Sequence, residues 1–140
     1  MDFTNKSKED FAGNLVKGII IRNIYKNKNY YPVVINEIIE VNKDNYLTIK
    51  EKYDVDYIIN GEILDCGMRL NTLVAYNAYP RVEIKINCYD LKNGKLLFDE
   101  TKSKGNIRAI DYKDLRALVR TICSELTDEV LASISNNKDK

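Results

Sequence analysis

The 140-residue sequence contains no histidine and no tryptophan. Without histidine the chain lacks the commonest general base, the commonest zinc ligand and the usual proton switch near neutral pH. Cysteine is scarce as well. Cys66, Cys88 and Cys123 leave at least one thiol unpaired and none stands in a C-x-x-C spacing, so a disulfide framework is not expected. Small buried hydrophobes are the bland and better reading of all three. Long apolar runs are missing too: Arg22 and Asn23 interrupt the best one, which excludes a transmembrane segment. Met1 is followed by Asp2 rather than by a basic and then apolar stretch, so no signal-peptide pattern is read here. With 22 Lys and Arg against 21 Asp and Glu, the net charge of +1 lacks the basic footprint of nucleic-acid binding.

What is present suits one well-solvated domain. Apolar residues make up 44% and charged residues 31%, and a chain of this length buries roughly two-thirds of its unfolded surface. Ten tyrosines dominate the aromatics, a residue that buries its ring while keeping its hydroxyl satisfied. The reading is a single domain over 1–136 with a polar, disordered tail over 137–140.

Residues 1–6 read as a loop into a helix that Ser7 caps, with Glu9 and Asp10 in its first turn. Ala12, Leu15, Val16, Ile19, Ile20 and Ile24 recur at helical spacing as one apolar face. Tyr30–Ile35, carrying Pro32 near its start, reads as a short edge strand. Asp44 is expected to cap a second helix ending near Tyr53. A meander follows: VDYIINGEILD, RVEIKINCYDL and LLFDETKS. In the middle strand Val82, Ile84, Ile86 and Cys88 alternate with Arg81, Glu83, Lys85 and Asn87, the period of a sheet with one buried and one wet face. Asn93-Gly94 is a strong hairpin signal, because both residues accept positive φ. The segment 67–80 between the first two strands is expected to lengthen both into one long hairpin. The closing helix shows Leu115, Leu118, Val119, Ile122, Leu126, Val130 and Ile134 on one stripe.

The site candidates are few. Asp54, Asp56, Glu62 and Asp65 are the densest acidic group, which acid–base or hard-metal chemistry would need on one face. In a regular strand Glu62 and Asp65 differ in parity, so solvated strand ends are the better reading. A nucleophilic cysteine would need lysine or a helix N-terminus in place of histidine to lower its pKa, and no pattern supplies one. Gly61 and Gly67 stand alone, without a phosphate-binding glycine motif, and Gly61 reads as a bulge or a close backbone approach. No catalytic residue, cofactor site or metal site is assigned. Leu73, Val74, Tyr76 and Tyr79, between two strands, are the candidate contact surface, weighed evenly against a place in the core.

Three stretches carry a resemblance. DFTNKS at 2–7 precedes a helix, VDYIINGEI at 55–63 joins an Asp-Tyr pair to Gly-x-Ile, and YDLKNGKLLFDE at 89–100 forms a recurrent hairpin. Together they resemble the envelope lipoprotein domains of the curli-secretion channel, the penicillin-binding-protein activator and the TolB amino-terminal domain. Such domains begin with an apolar strand, whereas this chain starts at the loop with only Met1-Asp2-Phe3. The empty sheet position implies an exposed edge and self-association through it.

The fold expected is α/β (α+β): a mixed sheet of about four strands with an antiparallel meander, and the N- and C-terminal helices packed on one face. Parallel pairing is expected between Tyr30–Ile35 and Val55–Ile63, across a helical connection. The resemblance implies a non-enzymatic periplasmic module of a bacterial envelope lipoprotein, anchored at the outer membrane in its full-length form. It would act in assembly, secretion or enzyme activation by contact with an envelope protein partner, without cofactor. The rival is a cytosolic enzyme or small-molecule-binding protein using acidic residues near Asp56 or one reactive cysteine.

Overall fold

The computed structural model describes residues 2–5, 11–35, 39–71, 77–105 and 112–138. Its elements are β1 (Asp2–Asn5), α1 (Phe11–Lys26), α2 (Tyr46–Tyr53), β2 (Tyr57–Asn71), β3 (Asn77–Asp90), β4 (Lys95–Gly105) and α3 (Tyr112–Lys138). The class is α+β, with β2, β3 and β4 forming an antiparallel meander in one open sheet. As expected, β2 and β3 extend to Asn71 and Asn77 and make a long hairpin.

The strand expected at Tyr30–Ile35 is not one. The parallel neighbour of β2 is instead β1, with Asp2 to Asn5 opposite Asn60 to Ile63, giving the order β1-β2-β3-β4. The sheet position expected to be empty is therefore filled for four residues. Pro32 lacks the N–H that a ladder needs, and β1 already holds the edge of β2 beside it.

Alternation along β3 does what its pattern predicts. Val82, Ile84, Ile86 and Cys88 are fully buried, together with Ile63 and Cys66 of β2. Over them lie Ala12, Val16, Ile20 and Ile24 of α1 and Leu115, Val119, Ile122, Cys123, Leu126 and Val130 of α3. Helix α1 packs over β1 and β2, and α3 over β3 and β4, so both terminal helices cover the same face. Each large side chain buried here contributes about 1.5–3 kcal/mol.

Cys66 reaches that face only through a β-bulge between Ile63 and Asp65, which shifts the register by one residue at Leu64. The bulge expected at Gly61 lies three positions further on. It also corrects the parity argument: Glu62 pairs with Lys85 and Asp65 with Glu83, so both acids share the outer face. A second bulge, at Leu97, lets Phe98 oppose Cys88 and Leu96 oppose Tyr89.

A smaller cluster closes one end of the outer face, where Ile49 of α2, Ile58 and Leu91 are buried with Ile39, Val41, Tyr46 and Tyr89 beside them. The N-cap of α2 is Asn45, not Asp44. The turn before it is tied instead by two asparagines: the Asn42 N–H donates to Asn45 Oδ1 at 2.8 Å, and the Asn45 N–H to Asn42 Oδ1 at 3.0 Å. In the β3–β4 turn Gly94 has φ of 72° and its N–H donates to the Asp90 carbonyl at 2.8 Å. Helix α3 continues to Lys138, so Asn137 and Lys138 belong to its last turn rather than to a tail.

Candidate interaction surface

Four of the large apolar side chains that stand exposed fall on two stretches. Tyr31, Val33 and Val34, at 85%, 48% and 45% exposure, follow α1, and Leu96, at 44%, sits near the start of β4. Residues 30–35 have neither helical nor strand hydrogen bonding, although they are as apolar and β-branched as any strand of the chain. Among the described residues, the one backbone hydrogen bond of this strip runs from the Tyr30 N–H to the Asn27 carbonyl at 3.2 Å.

The strip is fastened to the body at its ends. Ile35 is buried. The Tyr30 hydroxyl lies 3.3 Å from Ser135 Oγ, and the Lys138 ammonium stands 4.6 Å from the Tyr30 ring centre and 5.9 Å from that of Tyr57. Between these fastenings a cavity of about 380 Å³ separates Tyr31, Pro32 and Val33 from Ile24, Val55, Tyr57, Ile59, Leu131 and Ile134. The last turn of α3 is held in turn by Asn137, whose Nδ2 donates to Asp90 Oδ2 at 2.9 Å. Asp90 is itself buried and also accepts from the Lys92 N–H at 2.8 Å. Sequence reasoning passed over Asp90, although its place just before L-K-N-G is the signal of a carboxylate that closes a turn.

The opposite edge of the sheet is β4, an eleven-residue strand whose outer residues are largely exposed. Edge strands are commonly guarded by lysine. Here Lys104 donates to Glu125 at 2.7 Å, and Lys102 is bonded to Glu129 and lies 3.4 Å from Glu125, so both amines are drawn onto α3. Hydrogen bonding to Glu129 raises the Lys102 pKa and that to Lys104 lowers the Glu125 pKa, so both groups are charged at neutral pH.

The other candidates disperse. Leu73, Val74 and Tyr76 lie outside the described residues, and Tyr79 is half-buried on β3 opposite Arg69. Asp56 bonds Lys50 at 2.6 Å, which holds its carboxyl below the usual range, while Asp65 lies 3.6 Å from Arg81 on another part of the sheet. No group of three or more His, Cys, Asp or Glu among the described residues is placed to hold a metal ion. All three cysteines are buried, and burial pushes the Cys88 and Cys123 thiols up to about 12. No described helix is long and apolar enough to cross a membrane.

No protein-family model matches this sequence, and no curated protein sequence matches it. Solved structures do share the fold. A point variant of the PelC dodecamer from Paraburkholderia phytofirmans superposes with a TM-score of 0.63 at 13% identity, covering 89% of this chain and 80% of that one. Lipoprotein GNA1162 from Neisseria meningitidis gives 0.57 at 14% identity, over 91% of this chain and 95% of its own. A Xanthomonas campestris protein of the family DUF330 gives 0.58 at 9% identity, over 91% and 66%. The fold is thus shared with at least one bacterial lipoprotein.

Proposed function

We propose that this chain is a non-enzymatic, periplasmic module of a bacterial envelope lipoprotein that works through protein contact, first of all with further copies of itself. The observation that carries the proposal is the grouping of exposed apolar side chains at Tyr31, Val33 and Val34, with Leu96 exposed singly on the edge strand β4. Exposed apolar surface gathered in this way marks contact sites. Two of the fold's solved examples support the reading, one a named lipoprotein and one a dodecamer. The rival enzyme reading has less support: all three thiols are buried, those of Cys88 and Cys123, pushed up to about 12, are poor nucleophiles at neutral pH, and Asp56 is engaged by Lys50. Light scattering on the purified chain at tens of micromolar tests the proposal. Assembly beyond the monomer supports it, and a clean monomer overturns the self-contact part.

A further inference from the structure

We infer that copies of this chain join head to tail, the Tyr31–Ile35 strip of one adding as a strand to the free edge of β4 in the next. This rests on the self-association proposed above and names the two surfaces that make it. Hydrogen-bonding capacity is the first argument. Four backbone N–H groups in the strip, those of Tyr31, Val33, Val34 and Ile35, have no partner among the described residues, and alternate residues of an edge strand such as β4 turn their N–H and C=O groups outward. Each surface offers what the other lacks.

Placement is the second argument. The strip follows α1, which covers β1 and β2, and it shares its cavity with Tyr57, Ile58 and Ile59 at the start of β2. The receiving strand β4 is at the opposite edge of the same sheet. A contact between different surfaces at opposite edges is heterologous, so it propagates into a ring or an open filament rather than closing a two-fold dimer. The two surfaces also match chemically. An antiparallel docking that sets Tyr31 and Pro32 beside Leu97 and Leu96 also carries the exposed Lys28 toward the exposed Glu100, so apolar meets apolar and cation meets anion. The lysines that would repel an incoming strand further along β4, Lys102 and Lys104, are occupied by Glu125 and Glu129. Added strands of this kind take their affinity from main-chain hydrogen bonds and their specificity from alternate side chains.

Two measurements on the full chain decide the matter. In the first, Val33→Lys/Val34→Lys and, separately, Leu96→Lys are compared with the parent by light scattering over a concentration series. The expected result is an assembly threshold raised on the order of tenfold or more by either variant, with unchanged circular dichroism and melting temperature. A parent that assembles while both folded variants assemble at the same threshold leaves self-association standing and overturns this interface; a monomeric parent overturns both. In the second, Val33→Cys and Lys95→Cys proteins, altered at positions directly opposed in this docking, are oxidised separately and as a mixture. A disulfide-linked dimer that appears only in the mixture confirms the head-to-tail pairing. Equal cross-linking within Val33→Cys alone indicates a symmetric contact and rejects the pairing, as does no cross-linking in the mixture of an assembling protein.

Discussion

Val33 and Val34 stand at 48% and 45% exposure while Val82 and Ile84, residues of the same β-branched kind, are fully buried. The two regions differ in pattern rather than in hydrophobicity. In β3 apolar and polar residues alternate, so pairing on both sides places one set under α1 and α3 and the other in water. In Tyr30–Ile35 the apolar residues run without a break, and a ladder would leave half of them facing solvent in a single molecule. Strand propensity alone therefore does not recruit a segment into a sheet; a vacant edge and a face to bury are needed as well.

The contrast is most easily broken at Ile84. Ile84→Ala removes a fully buried side chain from the sheet–helix interface and is expected to cost about 2–5 kcal/mol in urea unfolding, where Val34→Ala should stay within about 0.5 kcal/mol. Comparable losses at the two positions would mean that the strip is part of the core after all. Next comes the tie between the hairpin and α3. Asp90→Ala leaves Asn137 Nδ2 and the Lys92 N–H without their buried acceptor, and a loss of about 1–3 kcal/mol is expected by the same measurement.

Gly94→Ala should be milder. Its φ of 72° costs an L-residue about 1–2 kcal/mol, and the added Cβ would lie 2.8 Å from Tyr46 Cδ1, so the Tyr46 ring must also shift. Thermal unfolding that leaves the melting temperature unchanged would contradict this. Smallest of all is Val33→Thr, which should alter monomer stability by no more than about 0.5 kcal/mol, as read by calorimetry at a concentration below any assembly.

The parts that were legible in the sequence are those where a local rule coincides with the tertiary one. Alternation fixed the inward residues of β3, and helical periodicity fixed the stripes of α1 and α3. Asn93-Gly94 marked a turn in which Gly94 does adopt positive φ. The α/β (α+β) expectation holds as an antiparallel meander, with β1 parallel beside β2, under two terminal helices. Long-range competition decided the rest. Nothing local shows that Asp2–Asn5, rather than Tyr30–Ile35, takes the place beside Asn60–Ile63. Likewise the bulge at Leu64 has no signature of its own in I-L-D, yet it turns Cys66 inward and brings Glu62 and Asp65 to one side. The apolar strip was visible as residues but not as a surface, because its exposure follows from a ladder that it failed to join.

The three thiols offer a use that their packing makes available. Cys66, Cys88 and Cys123 lie on β2, β3 and α3, all sealed within the same seam between sheet and helices. A thiol reagent in excess reaches each one only when its stretch of the seam parts, so modification rates become site-by-site clocks of local opening. Followed through a denaturant series, they would tell whether α3 lifts from the sheet as a unit or the whole molecule unzips at once.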